Sequence, residues 1–131
     1  MRKLRSAASV AVALGLTAMA VPPAAAEGLT IASGTFRGTN GHVASGGISV
    51  RKTAAGIVVV LDPDFAFDGA PDPKLGFGKN GYDAAAKFAP LKANKGQQDY
   101  RIPAAIDPEK YDEIWIWCER YAVSLGVAKL K

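Results

Sequence analysis

The chain has one cysteine, Cys118, and one histidine, His42. Its two methionines, Met1 and Met19, both lie near the amino terminus. These shortages remove several redox centres at once. A blue-copper site needs two histidines and a cysteine, commonly with a methionine. An iron–sulfur cluster takes about four cysteines. Covalent haem attachment needs C-x-x-C-H and a thioredoxin-like site needs C-x-x-C, and the sequence holds neither. One thiol cannot close an intramolecular bridge, so the fold must stand on its core.

Long apolar runs are scarce too. Ala7 to Ala20 is uncharged but shorter than the roughly 20 apolar residues of a lasting membrane anchor. Arg2, Lys3 and Arg5 precede it, Pro22 and Pro23 break it, and Ala24, Ala25 and Ala26 supply small residues for cleavage. Residues 1–26 therefore read as a signal peptide cut after Ala26, an uncleaved anchor being the alternative. Residues 27–131 form one domain. Export to a periplasm or an extracellular space is expected, with no stable membrane insertion.

An excess of charge is missing as well. The whole chain carries 16 basic and 12 acidic residues. Removing Arg2, Lys3 and Arg5 leaves 13 against 12, so the basic balance belongs to the leader. The remaining charges are interspersed, which argues against a nucleic-acid partner.

What is present reads as β throughout. No segment after the leader repeats apolar residues at helical spacing over three turns. Ser33 to Phe36 ends a first strand, and Asn40-Gly41 turns. His42 to Arg51 is a strand kinked at Gly46-Gly47. Ile57 to Leu61 ("IVVVL") is a strand covered on both faces. Phe65 and Phe67 tuck the proline-broken segment after it onto the core. Lys74 to Lys79, Gln97 to Ile102 and Glu113 to Cys118 are further strands. Tyr82 to Leu91 fits a helical turn or a loop. Tyr121 to Leu125 continues Glu113 to Cys118 across a bulge or forms its own strand. The class is all-β: a single-domain antiparallel β-sandwich or small β-barrel.

Five stretches then fall in order: "SGTFRG", "GHVASGGISV", "VVLDPDFAFDGAPD", "KGQQDYRIP" and "YDEIWIWCERYAVSLGVAKL". Together they span residues 33–130 and resemble the DM-thirteen domain, a family of exported β-domains associated with electron transfer and found beside DOMON domains. The resemblance maps the family's cysteine after an aromatic onto Cys118 after Trp117. It implies redox work there, as a bare thiol or by holding a group such as haem. The family's histidine maps onto His42.

The residues themselves leave two roles open for Cys118. Set among Ile114, Trp115, Ile116 and Trp117, it is either a buried, inert thiol or a reactive one. On a regular strand Arg120 would share its face and favour the thiolate. His42 is either a hydrogen-bonded structural residue or the partner of Cys118. Either could ligate a non-covalent haem, ranked below thiol chemistry because so small a domain has little room for a macrocycle. Expected partners are another exported redox protein or a second copy joined through Cys118. Asp62, Asp64, Asp68 and Asp72 fail the calcium-loop spacing, so no metal site is assigned. Trp117 is expected in the core, with Trp115 open. No nucleophile–base set for a stand-alone enzyme is legible. The rival reading is a non-catalytic binding module with a structural cysteine.

Overall fold

A computed structural model of the chain describes residues 9–15 and 28–131. The expected leader and its cleavage point lie largely outside the described residues. The domain is built from ten strands: β1 (Leu29–Gly38), β2 (Ala44–Ser45), β3 (Gly47–Thr53), β4 (Gly56–Leu61), β5 (Ala66–Phe67), β6 (Pro73–Gly78), β7 (Tyr82–Pro90), β8 (Gln98–Arg101), β9 (Glu113–Cys118) and β10 (Val123–Lys129). Among the described residues there is no α-helix; Pro108–Lys110 makes one 3₁₀ turn, capped by Asp107.

Eight strands form one antiparallel sheet in the order β7-β6-β9-β10-β1-β3-β4-β8. The sheet curls into a nearly closed barrel. Its edge strands, β7 and β8, share no ladder. Side chains join them: the Phe88 and Tyr100 rings meet edge-on at 6.0 Å, and the Lys92 amide donates to the Tyr100 hydroxyl at 2.9 Å. β1 closes the other side by serving two neighbours. Its Leu29–Thr35 stretch pairs with β3, and Phe36–Gly38 pairs with β10. At the hand-over a Cβ on Gly34 would lie 2.1 Å from the Lys129 carbonyl oxygen, so only glycine fits.

The core runs down the barrel axis. Ile48 and Val50, Val59 and Leu61, Leu75 and Phe77, and Ile114 and Ile116 point inward from β3, β4, β6 and β9. Val58 and Val60 are also buried, on the outer face of β4, so "IVVVL" is indeed covered on both sides. Phe65 and Phe67 are 2% and 4% exposed, as their spacing implied.

Three expectations need correction or completion. Tyr82–Pro90 is a strand rather than a helical turn or loop. Glu113–Cys118 and Val123–Lys129 are two strands of a hairpin, not one bulged strand; residues 119–122 turn between them. Arg120 thus lies in an exposed turn and does not share the face of Cys118.

Two connections cross the barrel ends. Asp62 to Asp72 forms a strap across one end. It bonds to the start of β3 (Asp62 amide to Gly47 oxygen, 2.9 Å) and to the β7–β8 loop (Phe67 amide to Asn94 oxygen, 2.8 Å). It bonds to the β1–β2 loop (Asp68 amide to Val43 oxygen, 3.0 Å) and to the end of β9 (Glu119 amide to Asp72 oxygen, 3.1 Å). The segment from Ile102 to Asp112 crosses the opposite end, where Ile106 and Tyr111 pack on the core.

Candidate functional site

Strand alternation decides where β9 puts its side chains. Ile114, Ile116 and Cys118 face the core, and Glu113, Trp115 and Trp117 face outward. Cys118 is the last of the inward residues and therefore sits at the strap end. It pairs with Pro73, the first residue of β6, and with Val123 of β10. Its side chain is 1% exposed and belongs to the apolar core cluster, and no hydrogen bond from the described residues reaches the thiol. Yet the next residue, Glu119, begins an exposed turn. The sulfur is sealed by the packing of one barrel end, not by depth within the sheet.

His42 lies in the β1–β2 loop at the same end. The Asn40-Gly41 turn, with φ of 52° and 78°, delivers it there. Asn40 fixes the loop to β10 by donating to the Ser124 carbonyl at 2.8 Å. The His42 Nδ1–H donates to Asp68 Oδ1 at 3.0 Å, both side chains being partly exposed. That bond holds the Asp68 carboxyl below its usual value, and the Val43 amide adds to the effect. The structure therefore brings His42 to the strap and not into a bonded pair with Cys118. Sequence reasoning missed Asp68 as the partner, because 26 residues separate it from His42 and no local pattern joins them.

Trp117 is not a core residue. It is half-buried on the outer face and stacks on Tyr82 at 4.6 Å and 10°. Trp115 lies beside it, over Gly78, where a Cβ would come within 2.7 Å of the indole. Glu113 shares this face and is 2% exposed. It accepts from the Gly81 amide at 2.9 Å and from Trp115 Nε1 at 3.4 Å, and it pairs with Lys129. Burial alone would raise its pKa; the Lys129 ammonium, the Gly81 amide and the indole N–H outweigh that, so the carboxyl titrates below its usual value.

The four aspartates of the strap are engaged at three places. Asp64 accepts from the Gly47 amide, Asp68 from His42, and Asp72 pairs with Lys74. Asp62 engages Gly47 through its backbone. No metal-ligating group of three forms among the described residues.

A haem would need a slot beside Cys118 or His42. Two concavities of about 260 and 290 Å³ flank the 3₁₀ turn at the opposite end, both lined by Ile31, Pro108 and Glu109. A third, of about 230 Å³, lies beside Lys74, Lys87 and Phe88. Neither candidate ligand lines any of them. All three are smaller than the roughly 300 Å³ at which small-molecule sites begin. The residues present do not fit a haem held inside the fold.

No curated protein and no solved structure matches the chain. A family described as electron transfer DM13 matches residues 35–130, which takes in every strand from the second half of β1 to β10. On that match, which covers most of the described domain, this chain belongs to the electron transfer DM13 family.

Proposed function

We propose that the chain is an exported electron-transfer domain whose redox centre is Cys118. The observation that carries this is the placement of the sole thiol as the last inward residue of β9, one residue from an exposed turn. No other side chain after the leader offers thiol or thioether chemistry.

With one sulfur the domain completes half of a two-electron exchange. The Cys118 thiolate attacks one sulfur of a partner's disulfide. The partner's S–S bond breaks, a mixed disulfide forms, and the other sulfur leaves as thiolate. A thiol on a third molecule then attacks the partner's sulfur in the mixed disulfide, releasing Cys118 as thiolate and leaving that sulfur disulfide-bonded to the newcomer. The partner is thus another exported protein with a reducible disulfide; attack by a second Cys118 on the first Cys118 sulfur instead expels the partner's thiolate, leaving the partner reduced and two copies joined by a disulfide.

Incubation of the native protein with glutathione disulfide tests the reading. Mass spectrometry is expected to find one glutathione on Cys118, with one equivalent of glutathione released, and none on a Cys118→Ser variant. A native protein that stays unmodified until it is unfolded overturns it.

The near-complete burial of Cys118 favours a second reading, a non-catalytic interaction module in which the thiol fills the core. That reading predicts the unmodified outcome.

A further inference from the structure

We propose that residues Asp68–Asp72 are a lid over the Cys118 end of the barrel, latched by the His42–Asp68 pair. Every chain segment at this end meets the strap. β1 ends here, β3 begins, β4 ends, β6 begins, β7 ends, β8 begins, β9 ends and β10 begins. Cys118 is the inward residue of β9 nearest that opening, so a reagent reaching its sulfur along the barrel axis must pass the strap.

The two halves of the strap are held very differently. In the first half Phe65 and Phe67 are buried. Their backbone is tied to the β7–β8 loop at both residues, and Asp64 caps the Gly47 amide. In the second half, from Asp68 to Asp72, no residue is buried. It hangs between Phe67 and the start of β6. Gly69, with φ of 96°, sits just inside the anchored side, and Pro71 stiffens the far side. Its ties are two backbone bonds, to Val43 and from Glu119, the partial packing of Ala70, the Asp72–Lys74 pair where it joins β6, and one side-chain link to another loop, the His42–Asp68 pair. A short stretch with buried anchors on one side, a positive-φ glycine and a single ion pair to a neighbouring loop has the makings of a local opening unit.

The consequence for Cys118 rests on its reading as the redox centre; the lid itself does not. The role found for His42 is accordingly at a distance: it is a positioning residue that holds shut the entrance to the thiol.

The test is the rate at which 5,5′-dithiobis(2-nitrobenzoate) modifies the folded full domain, alongside its urea midpoint. Asp68→Asn and His42→Gln are expected to speed modification roughly threefold to fivefold, the size an exposed pair supports. The control is Thr53→Ala at the opposite end, which loses the hydroxyl bond to Gly56 and destabilises the whole domain without touching the strap. It is expected to leave the rate within twofold of the parent in the absence of urea. Equal acceleration by all three variants means that the thiol is reached only by global unfolding, and overturns the lid. So does a parent rate that the latch variants leave unchanged. Failure of the redox reading looks different: modification that responds to the latch, with no mixed disulfide from glutathione disulfide, keeps the lid and removes the redox role.

Discussion

Glu113 is nearly sealed against the outer face of the sheet, yet its surroundings keep it ionised. It holds three things in register: the Asn80-Gly81 turn, the Trp115 indole and the end of β10 through Lys129. Glu113→Ala leaves the Gly81 amide and the indole N–H without their acceptor. We expect a loss of about 1–3 kcal/mol, the usual cost of stranding buried donors, read as a lower urea midpoint with unchanged slope. At this scale the sequence was half legible. Cys118 stood out because nothing else like it exists in the chain. Its burial was foreseeable from Ile114 and Ile116 at alternate positions, and the same alternation turns Trp117 outward with Trp115. The His42–Asp68 pair was not legible, since 26 residues separate the two and only the strap's course over the barrel end joins them.

At the scale of elements, the β9–β10 hairpin carries a local cost. Its turn places Ala122 at φ 51°, a left-handed conformation that a Cβ disfavours. Ala122→Gly relieves that contact while giving the unfolded chain more freedom, and the first effect is the larger. We expect a gain of about 0.5–1 kcal/mol, seen as a higher thermal midpoint. Elements with a two-sided or alternating apolar pattern were readable: β4, β9 and the strap phenylalanines lie where their residues imply. β7 was not, and its environment explains why. It is an edge strand, and of its nine residues only Ala86 is fully buried. A strand with so little to hide needs no alternation, so "DAAAK" reads equally well as a turn of helix. Gly76 and Gly78 on the neighbouring β6 make room for the rings of Tyr82 and Trp115.

For the whole molecule, charge sets the pH range of stability. Hydrogen bonds from His42 and Lys87 hold Asp68 and Glu119 below their usual values, and Glu113 is shifted the same way. A carboxyl depressed in the folded state stabilises fully above its unfolded value, and that contribution is lost as pH falls through the folded one. Tyr82 and Tyr100 are raised by burial and Tyr111 by its bond to Asp83. Their contribution is full below the unfolded phenol value and is lost as pH rises through the folded one. The urea midpoint should therefore be flat between about pH 5 and about pH 9 and fall on both sides. A midpoint that rises on acidification below pH 4 would contradict the assignment of these pairs. The all-β class and the small-barrel alternative were legible from strand spacing, but strand order was not. Nothing local in β1 announces that it serves β3 and β10 in turn.

That shared strand has a mechanical consequence. Leu29 to Thr35 is zipped to one neighbour and Phe36 to Gly38 to another, so tension along β1 from its leading end loads both ladders in shear. The strand cannot be stripped off bond by bond from a single edge. Tethered at its leading end, the domain resists being pulled apart with nearly its full complement of cross-links engaged at once.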